Sequence, residues 1–169
     1  MRYHCDDTIA AISTPAGAGG IGIIRISGDA AIEKSNKIFK SIKKRATEEN
    51  AVARMSSHTI KYGYIVDPDT DEIIDECLIS VMKGPHSYTK EDIVEINSHG
   101  GYAVMREILS ILFKMGIRPA EPGEFTKRAF LNGRIDLSKA EAVMDIINAR
   151  TDAGRKTAAG QLSGKLSNE

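Results

Sequence analysis

The stretch SYTKEDIVEINSHGG, at positions 87–101, contains the residue best suited to hold a ligand. Glu95 alternates with the apolar residues Val94 and Ile96, and this period of two predicts a strand that carries Glu95 on the opposite face. A carboxylate among apolar side chains is costly to bury unless it meets a cation or a pair of N–H donors. The amidine edge of a pterin or guanine would supply two such donors. The spacing leaves two interpretations open, a ligand contact and a solvated residue on an edge strand.

Two arginines are the cations that could accompany this carboxylate or receive an anionic ligand. Arg25 lies inside the apolar run IGIIRIS, where a guanidinium needs an acidic partner or an anion. Arg134 lies in the turn NGRID, at positions 132–136. For both residues, a structural salt bridge and a ligand contact are equally compatible with the sequence.

Two other patterns suggest chemistry but are better explained by structure. Positions 17–22, GAGGIG, match the GxGxxG spacing of a dinucleotide-binding loop, yet here they open a strand rather than a helix. A nicotinamide-dependent oxidoreductase is therefore disfavoured, and we expect these glycines to allow a close approach of the backbone. His99 could act as a general base, but the spacing pairs no Ser or Cys nucleophile with it. We expect a hydrogen-bonded structural histidine.

Five strands and two helices are predicted to position these residues. The strands are predicted at 8–13, 21–27, 57–66, 73–82 and 92–97, with the turn DPDTD joining the third and fourth into an antiparallel hairpin. The first helix is predicted to begin after Gly28 and to carry on one face Ala31, Ser35, Ile38, Phe39 and Ile42. The second follows Gly101 and ends at Gly116. Because strands and helices do not alternate strictly, the order favours an α+β fold with a mixed sheet over a doubly wound one.

The chain changes character after Pro122, because residues 123–131 and those from Leu137 onward are rich in helix formers and show no further strand pattern. Residues 138–141, SKAE, match a capping box, and the helix that they predict has a mostly apolar face that includes Val143 and Ile147. Another subunit, or further sequence of the same protein, is needed to cover that face. We therefore predict one unit over 1–120 and the start of an incomplete helical unit over 121–169.

The composition narrows the class of protein. Lys plus Arg and Asp plus Glu number 23 each, so a net charge of zero gives no general electrostatic reason to bind nucleic acid. The two cysteines, Cys5 and Cys77, lack the spacing of a metal site and are typical of a reduced, intracellular protein. We expect no metal in this chain. The first twenty residues have no signal-peptide pattern, and no apolar stretch approaches the roughly 20 residues of a membrane span, so we expect a cytoplasmic protein.

Three sequence blocks together resemble the N-terminal part of the tRNA-modifying GTPase family called MnmE or TrmE. They are DTIAAISTPAGAGGIGIIRISG at 7–28, SYTKEDIVEINSHGG at 87–101, and AEPGEFTKRAFLNGRIDLSKAEAVMDIINART at 120–151. The resemblance implies that residues up to about 120 form a tetrahydrofolate-binding α+β domain similar to that of aminomethyltransferases. It also implies that this domain pairs two subunits as a homodimer. The folate-contacting positions carried over from the family are Arg25, Glu95 and Arg134, the last at a position that can also be lysine.

The resemblance also implies what the complete protein would do. Family members hydrolyse GTP, with Mg and K, in a domain absent from these residues. With an MnmG/GidA-like flavoprotein partner they modify C5 of the wobble uridine in tRNA, and 5-formyltetrahydrofolate or a related tetrahydrofolate serves as one-carbon source. We expect this segment to bind the cofactor and to dimerise, without catalytic residues of its own and without hydrolysing GTP. A free-standing folate-dependent one-carbon transferase is the alternative; it would need a substrate pocket and a proton-transfer group on this chain.

Overall fold

A seven-stranded mixed β-sheet forms the centre of the computed structural model, which describes residues 7–15, 17, 19–42 and 50–163. The strands are β1 (Ile9–Ile12), β2 (Gly19–Ser27), β3 (Phe39–Ser41), β4 (Thr59–Val66), β5 (Ile73–Met82), β6 (Ile93–Gly100) and β7 (Arg118–Pro119). Their order across the sheet is β3-β4-β5-β6-β2-β1-β7, and β1 and β7 run parallel while the other neighbouring pairs are antiparallel. The predicted α+β fold with a mixed sheet and packed helices is confirmed.

Five helices lie among the described residues. They are α1 (Ala31–Ile38), α2 (Tyr102–Lys114), α3 (Glu124–Leu131), α4 (Leu137–Asn148) and α5 (Asp152–Leu162). Helices α1 and α2 pack on one face of the sheet, where fully buried apolar side chains from both layers form the core, among them Ile24, Ile96, Ile108 and Leu112. This burial accounts for the apolar residues at every second position of β2 and β6, such as Ile24 and Ile26 or Val94 and Ile96, because these positions face the core.

The predicted hairpin and the glycine-rich entry are both confirmed. Strands β4 and β5 pair antiparallel around a turn in which the Asp67 carboxylate accepts hydrogen bonds from the backbone of Asp69 and Thr70. The glycine run leads into strand β2, not into a helix, so the geometry of a dinucleotide-binding loop is absent there. The run meets the end of β6, where Gly19 pairs with Gly100 and Gly22 with Ser98.

The extension of the first helix through Phe39 and Ile42 is wrong. Helix α1 ends at Ile38, and Phe39 adopts extended angles and opens the short edge strand β3. Phe39 is buried beside Gly63 of β4, at a distance that leaves no room for a side chain on Gly63. The apolar spacing continued past the helix because both the helix and the strand bury residues on the same side, and pairing with β4 decided between them.

The capping box at Ser138 is also wrong. The N-cap of α4 is Asp136, whose carboxylate accepts a hydrogen bond of 2.8 Å from the backbone nitrogen of Lys139. Ser138 therefore lies within the first turn. Asp is as good an N-cap as Ser. Here the turn at Gly133, with φ of 67°, places Asp136 at the start of the helix.

Two sequence features fall outside the described residues, namely Cys5 and most of the charged run before Asn50. None of the helices in the described part of the chain combines the length and the apolar character needed to cross a membrane.

Candidate functional site

Arg25 and Glu95 face each other from neighbouring strands of the sheet. They are direct partners in the antiparallel register of β2 and β6. Because Ile24, Ile26 and Val94 turn to the core beneath α1 and α2, both charged side chains extend from the opposite face. Nε and Nη2 of Arg25 each lie 2.8 Å from the same carboxylate oxygen, Oε1 of Glu95. The structure therefore brings two of the three predicted site residues into direct contact.

This ion pair lies at the base of a cavity of about 400 Å³, called here the Arg25–Glu95 cavity. Strands β2, β5 and β6 form its floor, while α3 and α4 form its roof. Apart from the two charged residues the lining is mainly apolar and aromatic, and includes Met82, Tyr88, Ile93, Phe125, Val143 and Ile147. A mostly apolar cavity with a few fixed polar groups is the usual form of a small-molecule site.

The charges in the cavity are shielded but not sealed from solvent. The side chains of Arg25 and Glu95 are 31% and 21% exposed. The Arg25 guanidinium also lies 5.5 Å from the centre of the Phe125 ring and 6.0 Å from that of Tyr88. Since both arginine nitrogens contact Oε1, the second carboxylate oxygen, Oε2, has no hydrogen-bond partner among the described residues. One acceptor of Glu95 is thus available to a ligand.

The third predicted residue, Arg134, lies beside this pair rather than in contact with it. Its guanidinium is 4.8 Å from the centre of the Tyr88 ring, the same ring that approaches Arg25. Arg134 lines a neighbouring cavity of about 880 Å³, and Tyr88 and Met82 belong to the walls of both cavities.

Hydrogen bonds hold the loop of residues 87–91 on both sides of Tyr88. The Thr89 hydroxyl hydrogen bonds to Ser27 of β2 at 2.7 Å. Asn132 donates to the Thr89 carbonyl at 2.7 Å, and Lys90 donates to the Gly133 carbonyl at 3.0 Å. The loop is therefore joined both to the sheet and to the turn that carries Arg134.

A buried ion network anchors α3 to the sheet. The guanidinium of Arg128 is 1% exposed and contacts Asp7 at 2.6 Å, Glu124 at 3.0 Å and Glu91 at 3.3 Å. Burial opposes the ionisation of Glu124, but hydrogen bonds from Arg118, the Glu121 backbone and Arg128 outweigh it and lower its pKa to about 2. Because a buried guanidinium needs compensating carboxylates, the network fixes α3 above the Arg25–Glu95 cavity.

His99 and Cys77 have structural environments. Nδ1 of His99 lies 2.8 Å from Asp75 on the neighbouring strand, as the prediction of a hydrogen-bonded histidine requires, and this bond raises the pKa of His99. Burial raises the pKa of the Cys77 thiol to about 12, so the thiolate is not available as a nucleophile. Among the described residues, no three His, Cys, Asp or Glu side chains converge in a way that could hold a metal ion.

Sequence reasoning missed the aromatic and roof residues of the cavity. Tyr88 lies within the same stretch as Glu95, and Phe125 lies shortly before Arg134, so both could have been flagged as aromatic neighbours of the predicted charges. Val143 and Ile147 were recognised only as part of an apolar helix face that needs a partner. Their cavity-lining role depends on how α4 crosses the sheet, which no local pattern encodes.

Comparison with known proteins places the chain in one family. The family described as "GTP-binding protein TrmE N-terminus" matches residues 8–134. Two curated relatives are called tRNA modification GTPase MnmE. The one from Alkaliphilus oremlandii is 55% identical to this chain over 97% of its length, and the one from Thermoanaerobacter pseudethanolicus is 58% identical over 94%. The relative of the same name from Acetivibrio thermocellus is 57% identical over 96% of the chain. The matched region covers 34%, 33% and 34% of these three proteins, so this chain spans about a third of their length.

Proposed function

Because this chain belongs to the family of the TrmE N-terminus, we propose that it binds a tetrahydrofolate in the Arg25–Glu95 cavity. The ligand would be 5-formyltetrahydrofolate or a related one-carbon form. The observation that carries the proposal is the Arg25–Glu95 pair at the base of a largely apolar, aromatic-lined cavity. When bound, the folate would supply the one-carbon unit.

The donors and acceptors of the cavity fit a pterin ring. Glu95 offers Oε2, which has no partner among the described residues, and can share Oε1, so its carboxylate can accept two parallel N–H bonds from an amidine edge. Arg25 holds Glu95 in place and has further N–H donors for the ring carbonyl. The rings of Tyr88 and Phe125 offer flat apolar surfaces beside these charges.

Arg134 is the third folate contact in this proposal. It lines the neighbouring cavity of about 880 Å³ beside the Tyr88 ring, where its planar guanidinium can bind a carbonyl or carboxylate of a ligand that extends past Tyr88. A lysine there would keep the charge but lose the bidentate geometry.

The fold and the wider role belong to the same proposal. The unit up to about residue 120 would be similar to the tetrahydrofolate-binding domain of aminomethyltransferases, with the helical unit beginning after it. The relatives are called tRNA modification GTPases and are about three times longer. In the complete protein this segment would support modification at C5 of the wobble uridine of tRNA, together with GTP hydrolysis elsewhere and a flavoprotein partner.

A free-standing folate-dependent one-carbon transferase is the alternative. The names and lengths of the relatives favour a segment of a tRNA modification GTPase over this alternative.

We also propose that this segment pairs with a second copy of itself. The apolar side chains of Ile21 and Tyr102 are 67% and 78% exposed and line a cavity of about 720 Å³ beside the glycine-rich entry to β2. Exposed apolar surface of this kind favours association with a complementary surface. A homodimer formed through the N-terminal strands would cover it.

The folate site is tested by calorimetric titration with 5-formyltetrahydrofolate. Saturable binding is expected for the parent chain, and Glu95→Gln should weaken it by about 1–3 kcal/mol because an amide N–H would face the donors of the ligand. Arg25→Ala should weaken binding similarly, since Glu95 then loses its fixed position.

The matched control is Glu107→Gln, which removes an exposed carboxylate from α2 on the other face of the sheet. It should bind like the parent. Unchanged affinity of a folded Glu95→Gln protein would remove Glu95 from the site, and absence of binding by the folded parent would contradict the folate assignment.

A further inference from the structure

The cavity next to the proposed folate site has a different electrostatic character. It measures about 880 Å³ and shares Met82 and Tyr88 with the Arg25–Glu95 cavity, so a ligand can extend from one to the other past the Tyr88 ring. We call it the Lys83 cleft, after one of its lining residues; His58 and His86 also line it.

The basic side chains in the wall of the Lys83 cleft are Lys83, Arg134, His58 and His86. None of the described residues that line it is Asp or Glu. Among the described residues, Nζ of Lys83 donates to one backbone carbonyl, that of Ala53 at 3.3 Å, and forms no ion pair with a carboxylate. The nearby carboxylate of Asp92 accepts a hydrogen bond of 2.9 Å from the backbone nitrogen of Gly84, but Asp92 does not line the cleft. Such a surface attracts anions.

A folate is electrically asymmetric in a way that matches the two cavities. Its pterin head is neutral and presents N–H donors, while its tail carries glutamate carboxylates, one more for each additional γ-linked glutamate. The donors suit Glu95, and the carboxylates suit the basic cleft. The reverse orientation would bring the tail carboxylates against Glu95 and leave the pterin donors among cations.

Resting on the proposed folate function, we propose that the Lys83 cleft binds the glutamyl carboxylates of the ligand, so that the protein prefers folates with a poly-γ-glutamyl tail. Arg134, at the boundary beside Tyr88, receives the first tail carboxylate. Lys83 and the histidines receive those that follow. The contribution of each contact is modest because the cleft is open to solvent, and it weakens as salt is added.

The experiment compares calorimetric titrations with monoglutamyl and triglutamyl 5-formyltetrahydrofolate at low and at high salt. The parent is expected to bind the triglutamyl form about tenfold more tightly at low salt, and this preference should shrink at high salt. Lys83→Gln should reduce the preference to about threefold or less. Lys114→Gln, on α2 at the opposite face, is the matched control and should keep the full preference.

Each outcome decides the question. Equal binding of the two forms by the parent overturns the tail site and leaves the folate function standing. A full preference retained by a folded Lys83→Gln protein also overturns it, because the tail would then bind elsewhere. Lack of binding of either form overturns both proposals. If a short single-stranded RNA binds in a Lys83-dependent manner while triglutamate confers no preference, the cleft is an RNA surface and the proposal fails.

Discussion

Tyr88 occupies the position at which the chemistry of the site changes. Its ring approaches Arg25 at 6.0 Å and Arg134 at 4.8 Å, and its hydroxyl hydrogen bonds to Thr126 of α3 at 3.0 Å. The ring thus contributes flat apolar surface beside two guanidiniums, and the hydroxyl joins it to the roof. These two contributions can be separated by substitution.

Tyr88→Leu is expected to weaken binding of 5-formyltetrahydrofolate by about tenfold, because the ring that orders both guanidiniums is lost. Tyr88→Phe keeps the ring and removes only the hydroxyl, so its affinity should stay within about threefold of the parent value. Calorimetric titration of both variants provides the comparison. Equal losses in the two would show that the hydrogen bond to Thr126, rather than the ring, matters for binding.

The individual charges of the site could be recognised from the sequence, but their arrangement could not. Arg25 and Glu95 stood out because each lies in an apolar strand that cannot bury a lone charge. Their contact depends on the register between β2 and β6, which are separated by about seventy residues of chain. Local spacing holds no information about that register. The aromatic walls and the second cavity likewise result from the packing of loops and helices.

At the scale of secondary structure, the attachment of α3 depends on charge. Glu124 is 6% exposed, and its carboxylate bonds to both Arg118 and Arg128. Its pKa is lowered from the ordinary value of 4.5 to about 2, so folding favours the ionised form. The stabilisation is complete above the ordinary pKa and is lost as the pH falls toward the lowered one.

The parent chain is therefore expected to lose about 2 kcal/mol more of its unfolding free energy than Glu124→Gln between about pH 6 and about pH 3. The variant lacks the ionisable group and should be less stable at the higher pH. Urea unfolding at the two pH values measures the difference. Parallel losses in both proteins would mean that Glu124 does not contribute to the acid sensitivity.

The contact between the ends of β2 and β6 depends on the absence of a side chain at Gly100. A Cβ there would lie 2.5 Å from the Gly19 carbonyl oxygen and 2.8 Å from that of Ile21. The neighbouring Gly101 has no atom within 4 Å of its would-be Cβ and has a φ of −70°, which any residue adopts. A substitution at Gly101 is therefore a matched control for the same substitution at Gly100.

Gly100→Ala is expected to lower the free energy of unfolding by about 1–3 kcal/mol, because backbone atoms of β2 must shift. Gly101→Ala should cost less than about 1 kcal/mol, the difference between Gly and Ala at an N-cap. Chemical denaturation of both variants tests the prediction. A larger loss for Gly101→Ala would contradict the observed strand pairing.

Elements with a simple period were predicted well, and elements decided by neighbours were not. The predicted strand 92–97 corresponds to β6, which continues to Gly100 because the glycines of β2 pair with it there. The end of α1 was missed because β4 offers Phe39 a strand partner. The N-cap of α4 was missed because two capping residues lie close together and the preceding turn selects Asp136.

At the scale of the whole molecule, the proposed homodimer predicts a concentration-dependent change in mass. Ile21→Glu places a charge at the exposed apolar patch beside the glycine-rich entry and should shift the chain to monomer, because the carboxylate would be desolvated in the interface. Sedimentation velocity over a range of concentrations measures the shift.

Leu137→Glu is the control, because Leu137 is 60% exposed, close to the 67% of Ile21, but lies at the start of α4. It should sediment like the parent. A parent chain that remains monomeric at every concentration would defeat the dimer, and an equal effect of both substitutions would place the interface elsewhere.

The Arg25–Glu95 cavity has its floor in the sheet and its roof in α3 and α4, with Val143 and Ile147 among the roof residues. A ligand that contacts both the sheet and the two helices stabilises the arrangement in which α3 and α4 lie against the sheet. By thermodynamic reciprocity, any event that holds α4 against the sheet tightens the ligand, and any event that pulls α4 away releases it. The position of α4 against the sheet and the affinity of the cavity for its ligand are thus thermodynamically coupled, so a change in one changes the other.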